Sequence, residues 1–292
     1  MNETDEFIEK VNNKLNSIID YAENELIQEK LIESMKYSLF AGGKRIRPIL
    51  VYEFCKMCNG DTEKAVAPAA AVEAIHTYSL IHDDLPAMDN DDFRRGKPSN
   101  HKKFGEYTAI LAGDALNTLA FEIIAGDENL SDDVKTTLIR DLSRASGFLG
   151  MVGGQQMDIE LESSNNANAD DLAVMYTAKT GALISSACRM GAESAKAPDF
   201  LVRDAGIYGM YMGIAYQIID DILDITGNSE KLGKPVGSDA ESNKHTYAVL
   251  AGLDKAKERA EYYSKKAIEI LDVFPENEYM KEFTENLLRR DF

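Results

Sequence analysis

The sequence predicts an all-α protein with more than eight helices, and three observations support this class. Apolar residues recur at helical spacing almost throughout, for example at Ile207, Met210, Tyr211, Ile214 and Ile218. Alternating β-branched runs, which would indicate strands, are absent from the sequence. Alanine, leucine, glutamate and lysine are common, all favour helix, and only 7 prolines occur in 292 residues.

Gly, Pro, Asn and Asp clusters mark the predicted ends of these helices. The predicted breaks are Gly42-Gly43, Asn59-Gly60-Asp61, Pro86 to Asn100, Gly126-Asp127, Ser163 to Ala169, and Gly227 to Lys244. None of them is a long flexible linker, so a single domain over residues 1–292 is expected. The loops after residues 85 and 226 are the longest with mixed charge, and such loops often carry function.

The composition restricts the partners of the protein. The chain has 32 basic and 50 acidic side chains, a formal net charge of −18. Nucleic acid and anionic membrane surfaces should repel it, and an anionic substrate would need concentrated cations or bound metal. No run approaches the roughly 18 consecutive apolar residues of a membrane span. The acidic start MNETDEFIEK lacks signal-peptide features, so the sequence predicts a cytoplasmic protein without a membrane span.

Cys55 and Cys58 form a CxxC pair, which invites a zinc-binding or redox interpretation. Both lie in the apolar run LVYEFCKMC, which is typical of a buried helix. No second pair or Cys-His cluster completes a set of four zinc ligands. The buried-helix interpretation is therefore preferred.

Two acidic segments, LIHDDLPAMDNDD and IIDDILD, each begin with apolar residues and then present two adjacent aspartates. In the second, Asp220 and Asp224 are four residues apart and share one helix face. In the first, Pro86 disfavours helix at Leu85, which places the later aspartates on a helix end or loop. Carboxylates aligned in this way repel one another unless a hard cation binds them. Magnesium takes one or two carboxylates plus phosphate oxygens and water, so the segments predict magnesium sites.

Basic residues accompany the acidic segments. They are Lys44, Arg45 and Arg47 in GGKRIRP, Arg94 and Arg95 after the first acidic segment, and Lys234 and Lys244 after the second. Magnesium on carboxylates together with arginine and lysine is what a diphosphate requires. Each basic group alone is weak evidence, but two acid-then-base modules in one helical chain form a specific signal.

These segments closely resemble those of the trans-prenyltransferases, the short-chain polyprenyl diphosphate synthases, and look most like the bacterial-type farnesyl diphosphate synthases. The family motifs DDxxxxD and DDxxD correspond to Asp83, Asp84 and Asp89, and to Asp220, Asp221 and Asp224. The match is collinear from about residue 38 to 250 through GGKRIRP, AVEAIHTYSLIHDDLPAMDNDDFRRGKPSNH, LAGDAL, GGQQMDIE, KTGALI and YQIIDDILD.

The resemblance implies an all-α fold of about ten core helices around a deep central cavity, usually in a homodimer. About three Mg²⁺ ions would bridge both motifs to the allylic diphosphate, with Asp83, Asp84, Asp89, Asp220 and Asp224 as ligands. Isopentenyl diphosphate would be bound by Lys44, Arg47, His76 and Arg95. The allylic diphosphate would be bound by Arg94, Lys179, Thr180, Gln217, Lys234 and Lys244. Catalytic roles are expected for Asp83, Asp84, Asp89, Arg94, Lys179, Asp220 and Lys234.

The reaction implied is the head-to-tail condensation of isopentenyl diphosphate with dimethylallyl or geranyl diphosphate to give (E,E)-farnesyl diphosphate. The allylic diphosphate ionises, and the double bond of isopentenyl diphosphate attacks the carbocation. Magnesium and Arg94 would stabilise the charge on the leaving diphosphate, which then accepts the proton. No side-chain general base is needed, in agreement with the lack of a defensible Ser-His-Asp or Cys-His motif.

Product length can be argued from helix geometry if the prenyl tail grows along the helix that carries Asp83. Tyr78 lies five residues upstream and Ser79 four. At about 1.5 Å per residue, Tyr78 lies about 7.5 Å along the cavity wall, where its ring would stop the tail early. Family members with tyrosine here resemble farnesyl synthases, so a C15 product is expected.

Two residues depart from the family pattern. Ser238 stands where many relatives carry a second lysine, and Tyr216 stands where phenylalanine is common. Neither is expected to abolish activity. Outside the resemblance, His76 could be an ordinary core histidine and Lys179-Thr180-Gly181 an ordinary helix break. His82 is assigned no role.

Several alternatives stay open from the sequence. A geranylgeranyl or mixed-length synthase is opposed only by Tyr78 and its neighbours. A terpene cyclase shares the aspartate chemistry but would not need GGKRIRP. A non-catalytic partner subunit should have lost an aspartate or a cation, and a structural scaffold leaves both acidic segments unexplained.

Overall fold

The computed structural model describes residues 2–24, 29–162, 164, 167–226 and 245–288, and it confirms the all-α class. Over these residues the α-helices are α1 Glu3–Asn24, α2 Glu29–Leu39, α3 Ile46–Met57, α4 Val66–Asp83, α5 Asn100–Phe104, α6 Glu106–Ala125, α7 Asp132–Ser146, α8 Met151–Glu162, α9 Ala169–Tyr176, α10 Ala182–Ser194, α11 Asp199–Thr226, α12 Tyr247–Ala251, α13 Leu253–Ile270 and α14 Glu278–Leu288. Short 3₁₀ turns lie at Thr62–Ala65 and Leu271–Val273, and a π-helical segment, Thr177–Gly181, joins α9 to α10.

The predicted helix breaks agree with these bounds except where the chain is not described. The break from Gly227 to Lys244 lies outside the described residues, and the others separate consecutive helices. Among the described residues, the sequence analysis missed the turns from α5 to α6, α7 to α8, α10 to α11, α12 to α13 and α13 to α14. Glycines mark the turns at Gly105, Gly147 and Gly252, and Pro198 and Pro275 follow the helix ends in the other two, so each carried a recognisable signal.

One two-stranded hairpin, β1 Phe93–Arg94 and β2 Lys97–Pro98, interrupts the helical pattern. Its turn residues, Arg95 and Gly96, have φ angles of 52° and 74°. Two consecutive positive φ angles define the turn type whose twist suits a two-residue hairpin. The hairpin therefore holds two adjacent arginines in fixed and different positions.

Helices α3, α10 and α11 pack closely at the centre of the fold. Phe54 is fully buried, with its ring centroid 5.1 Å from that of Tyr208 on α11 and 5.2 Å from that of Phe274. A Cβ placed at Gly191 on α10 would lie 2.3 Å from the carbonyl oxygen of Val51 on α3. The two backbones touch here because glycine has no side chain.

Helix α6 is long and apolar enough to cross a membrane by length and composition alone. In the described part of the chain it is the only such helix, and half of its apolar window is buried inside the fold. It packs along α4 through residues such as Ala109, Ala112 and Leu116, which are fully buried. These contacts identify α6 as a core helix, and no membrane span is indicated.

The backbone contact at Gly191 predicts a large effect for a small substitution. Gly191→Ala should lower the free energy of unfolding by about 1–3 kcal/mol, because the added methyl group must push α3 and α10 apart. Gly126→Ala at the end of α6 is the control, since its Cβ meets only its own helix, at 3.2 Å. Urea unfolding of both variants makes the comparison, and equal stability would contradict the close contact.

Candidate active site

The first acidic segment folds back on the end of α4. The helix ends at Asp83, and the backbone N–H of Asp89 donates to the Asp83 carbonyl oxygen at 2.8 Å. The N–H of Asn90, which has a φ angle of 54°, donates to the Leu85 carbonyl oxygen at 3.1 Å. The predicted interruption at Pro86 is therefore a turn that returns Asp89 to the neighbourhood of Asp83.

The two adjacent aspartates of this segment are partly or fully withdrawn from water. Burial raises the pKa of Asp83 to about 6, a shift that Lys179 opposes and that the carboxylates of Asp89 and Asp158 increase. Burial also raises the pKa of Asp84 to about 6. Folding therefore buries two carboxyl groups whose charged form is disfavoured at this place.

Asp84 and Arg94 form an ion pair. Asp84 is 2% exposed, and one of its oxygens accepts hydrogen bonds from Arg94 Nε at 2.6 Å and Nη2 at 2.5 Å. Arg94 Nη2 also lies 3.4 Å from a carboxylate oxygen of Asp91. The carboxylate of Asp84 thus fixes Arg94 through its Oδ1 atom.

A crevice of about 370 Å³, open to solvent, lies between α2, α4 and the hairpin. Its wall includes Asp84, Arg94, Arg95 and Lys97. Because it shares the Asp84–Arg94 pair with the aspartate segment, it is the outer side of the same charged region.

Four arginines from two distant segments converge around His76. Their charges and burial together lower the pKa of His76 well below its usual value, and the contributing residues are Arg45, Arg47, Arg94 and Arg95. The imidazole is therefore neutral near pH 7 and offers one donor and one acceptor. The fold thus brings GGKRIRP close to the hairpin arginines.

The arginines in this cluster have different partners. Arg45 is buried against Glu73, with which it forms an ion pair, and its Nη2 donates to the Leu39 carbonyl oxygen at 2.5 Å. Arg95 donates to the Gly42 carbonyl oxygen, and its guanidinium lies where a side chain at Gly43 would otherwise be. These two contacts attach the loop that contains Gly42 and Gly43, here called the glycine loop, to α4 and to the hairpin.

Arg47 differs from its neighbours. Its Nε is buried and has no hydrogen-bond partner among the described residues. Burial also lowers the pKa of Arg47, although Glu73 and Tyr216 oppose that shift. A buried guanidinium nitrogen without a partner costs free energy, so it indicates a place where an anionic ligand would bind.

The π-helical segment Thr177–Gly181 lies between α8 and α11. A Cβ at Gly154 on α8 would lie 2.2 Å from the backbone nitrogen of Lys179, and one at Gly213 on α11 would lie 2.7 Å from the Cα of Gly181. Both neighbours therefore touch its backbone directly. π-helical turns of this kind occur frequently at functional sites, which favours a site over the ordinary helix break.

Two side chains of this segment are held from opposite sides. Lys179 forms an ion pair with Asp158 on α8, which is 4% exposed. Thr180 Oγ1 donates to Gln217 Oε1 on α11 at 3.2 Å. Since Lys179 also influences the pKa of Asp83, this segment connects the two acidic segments.

The second acidic segment lies near the end of α11. Asp221 is 4% exposed and accepts hydrogen bonds from the hydroxyl of Tyr176 and, at 2.9 Å, from the backbone N–H of Tyr247. Burial and the Asp221 carboxylate raise the pKa of the Tyr176 phenol, which therefore remains a donor. Asp221 thus anchors the start of α12, while Asp220 and Asp224 lie on either side of it along the helix.

Some predicted residues are not placed by the structure. Lys234, Lys244 and Ser238 lie outside the described residues. Among the residues that are described, no three His, Cys, Asp or Glu side chains already converge on a metal-sized site. Cys55 and Cys58 are free thiols whose pKa values burial raises, to about 12 and about 11, as expected of a buried helix.

Sequence reasoning missed several supporting residues. Asp158 forms an ion pair with Lys179, and Glu73 forms one with Arg45. Tyr176 donates a hydrogen bond to Asp221. Asp158 lies in GGQQMDIE, a segment that resembles the family, but the sequence analysis assigns it no role. An acidic residue inside an otherwise apolar helix, as at Glu73, was the available signal, because buried carboxylates are paired.

The comparisons with known proteins agree with this geometry. The chain belongs to the polyprenyl synthetase family, whose model matches residues 28–285. The farnesyl diphosphate synthase of Geobacillus stearothermophilus is 47% identical over 240 residues, covering 82% of this chain and 80% of that protein. The chloroplastic geranylgeranyl pyrophosphate synthase of Catharanthus roseus is 43% identical over 246 residues, covering 84% and 69%. The solved geranyltransferase structure from Legionella pneumophila has a TM-score of 0.86 at 33% identity, covering 99% and 96%.

The raised pKa of Asp83 predicts a pH-dependent stability of the metal-free protein. The folded state favours the protonated acid, so this contribution is present below the unfolded value of 3.8 and is lost as pH rises through about 6. Asp83→Asn should therefore be more stable than the native protein by about 1 kcal/mol at pH 7.5, and by less at pH 5.

Thermal unfolding in a chelator at both pH values measures this difference. Asp92→Asn is the control, because that carboxylate is exposed beside Lys102. A difference for Asp83→Asn that is the same at pH 5 and 7.5 would contradict the burial argument.

Proposed function

We propose that this protein condenses isopentenyl diphosphate with an allylic diphosphate, dimethylallyl or geranyl, to give farnesyl diphosphate. The observation that carries the proposal is the convergence of two charged groups from distant parts of the sequence. Four arginines surround His76, and beside them lie the buried carboxylates of the first acidic segment with Lys179. A site with both groups suits two diphosphates, one bound by cations directly and one through metal.

The described residues fit magnesium by their donor chemistry. Carboxylate oxygens are hard ligands, and burial, which raises the pKa of Asp83, disfavours its charged form in the absence of a bound cation. We propose Asp83 and Asp89 from the first segment and Asp220 and Asp224 from the second as the ligands of about three ions. Asp84 is proposed as a ligand as well, and its ion pair with Arg94 through Oδ1 adds a role in fixing that arginine. Phosphate oxygens of the substrate would complete the coordination.

The cations divide between the two substrates. Arg47, with its unpaired Nε, and Arg95, beside the glycine loop, would bind isopentenyl diphosphate together with Lys44 and the neutral His76. On the other side, the allylic diphosphate would be bound by Arg94, Lys179, Thr180 and Gln217, and by Lys234 and Lys244 from outside the described residues. This division keeps the two diphosphate groups apart, so that the reacting carbon atoms of the allylic substrate and of isopentenyl diphosphate can meet between them.

The chain's own residues then act mainly by orientation and charge. Magnesium, when bound, supplies Lewis-acid stabilisation of the leaving diphosphate. Arg94 and Lys179 stabilise the same developing charge from fixed positions, since each is already held by a buried aspartate, Asp84 or Asp158. Thr180 Oγ1 and Gln217 Oε1 present oxygen atoms at the junction of the π segment and α11, where they can face a carbocation. The departing diphosphate takes the proton lost after condensation.

Tyr78 supports a C15 product. Its ring is 7% exposed on α4, and the adjacent Ser79 donates a hydrogen bond to the His76 carbonyl oxygen within the same helix. A buried aromatic ring five residues before Asp83 closes the path of a tail that grows along α4. The similarity to the Catharanthus roseus protein keeps geranylgeranyl diphosphate as the alternative product.

We also propose that the protein works as a homodimer. On α6, Tyr107, Ile110 and Leu111 are 67%, 43% and 52% exposed, and Phe148 after α7 is 81% exposed. Large apolar side chains gathered in this way favour contact with another protein surface. The single domain over residues 1–292 and the cytoplasmic location remain predictions from the sequence.

Removing a carboxylate proposed to bind metal, from either acidic segment, should abolish most activity. Asp83→Ala or Asp220→Ala is expected to lower turnover at least about 100-fold at saturating Mg²⁺, because a charge that stabilises the bound metal is lost. Steady-state assays over a magnesium series, with circular dichroism to confirm folding, measure the effect. Asp92→Ala, in the exposed pair with Lys102, is the matched control. Near-normal turnover in both motif variants would refute the scheme.

Product analysis tests the reaction and the role of Tyr78 together. Purified protein with Mg²⁺, labelled isopentenyl diphosphate and dimethylallyl diphosphate should give mainly a C15 alcohol after dephosphorylation. Tyr78→Ala should give C20 or longer products because the ring no longer stops the tail, while Tyr78→Phe, which keeps the ring, should remain C15. Failure of folded native protein to elongate any allylic starter would favour the non-catalytic subunit.

A further inference from the structure

The imidazole of His82 lies between Tyr78 and helix α6. Tyr78 and His82 are one helical turn apart on α4, and their rings meet edge to face with centroids 5.7 Å apart. His82 Nε2 lies 3.0 Å from the carbonyl oxygen of Ile110 on α6. Because a carbonyl oxygen only accepts, Nε2 carries the proton and donates it. One side chain therefore links the ring proposed to limit product length to the backbone of the neighbouring helix.

Gly113 provides the space that His82 occupies. A Cβ at Gly113 would lie 2.1 Å from His82 Nε2 and 2.4 Å from Cδ2, so a larger residue would displace the imidazole. Glycine weakens a helix interior relative to alanine, and Gly113 lies well inside the 20-residue α6. We call the gap beside Gly113 the Gly113 notch. The need for this gap explains why a glycine stands inside a helix, where alanine would be more favourable.

A phenol ring stops a growing chain only if it cannot turn aside. An aromatic side chain has alternative staggered rotamers, and the one it keeps depends on what fills the space beside it. The imidazole of His82 fills the space on the C-terminal side of Tyr78. His82 cannot move towards α6, because the backbone at Gly113 closes the notch and the Ile110 carbonyl holds Nε2.

We propose that His82 and Gly113 are positioning residues for product length: the imidazole, held in the Gly113 notch and bonded to Ile110, keeps the Tyr78 ring across the path of the growing prenyl chain. The inference rests on the proposed role of Tyr78 as the stop. Both residues act through Tyr78, so they affect the distribution of products more than the binding of isopentenyl diphosphate.

The test compares products from dimethylallyl diphosphate and excess isopentenyl diphosphate, separated by chromatography after dephosphorylation. His82→Ala and Gly113→Ala should each raise the ratio of C20 to C15 product at least about fivefold, with KM for isopentenyl diphosphate changed less than about twofold. His82→Phe, which keeps a ring beside Tyr78 but cannot donate to Ile110, should give a ratio of C20 to C15 product below that of His82→Ala. Gly126→Ala, just after the last residue of the same helix, is the matched control and should stay at C15.

A double variant examines whether His82 acts through Tyr78. Tyr78→Ala/His82→Ala should make products no longer than Tyr78→Ala alone, because the imidazole has no ring left to hold. Further lengthening in the double variant would overturn the proposal. So would equal lengthening in His82→Ala and His82→Phe.

The remaining outcomes separate this inference from the proposed function. In one outcome, Tyr78→Ala makes longer product while His82→Ala and Gly113→Ala still make C15. This outcome would overturn the positioning role and leave Tyr78 as a stop that needs no support. Unchanged C15 product in all three would remove Tyr78 as the stop and the inference with it. Should Gly113→Ala fail to fold, the comparison of His82→Ala with His82→Phe decides alone.

Discussion

Direct backbone contact on both sides of the segment Thr177–Gly181 is the constraint on which the rest of the site depends. Gly154 on α8 and Gly213 on α11 allow each neighbouring helix to approach this segment without an intervening side chain. The segment takes up the π-helical form there, and Lys179 and Thr180 reach partners on different helices. Helices that carry unrelated parts of the sequence are thereby held at fixed distances from one set of charged groups.

The electrostatics of the site follow from this arrangement. A chain with a net charge of −18 still creates a local cationic region, because four arginines meet around one neutral histidine. Beside it, buried carboxylates keep raised pKa values. In a region of low dielectric, both groups interact strongly with any ion that binds. Binding a metal with two diphosphates would relieve both the excess of negative and the excess of positive charge.

In both acidic segments the adjacent aspartates have different roles, which the spacing of the residues in the sequence does not reveal. In each, the second aspartate of the adjacent pair is the deeply buried one and serves the fold: Asp84 holds Arg94, and Asp221 holds Tyr176 and the start of α12. The proposed metal ligands Asp83, Asp89, Asp220 and Asp224 flank these two buried residues in the sequence. A pair of adjacent carboxylates on a helix points in directions about 100° apart, so one can face a cavity while its neighbour faces the packed interior.

The sequence by itself determined the all-α class, several of the helix breaks and the family. These follow from helical periodicity and from motifs whose residues are adjacent in the chain. The tertiary structure alone decided the partners: that Asp158 would hold Lys179, that Arg45 would pair with Glu73, and that His82, without a role in the sequence analysis, would lie in the notch at Gly113. Such contacts join helices that are distant in sequence, and they depend on how closely two backbones approach, which local spacing does not encode.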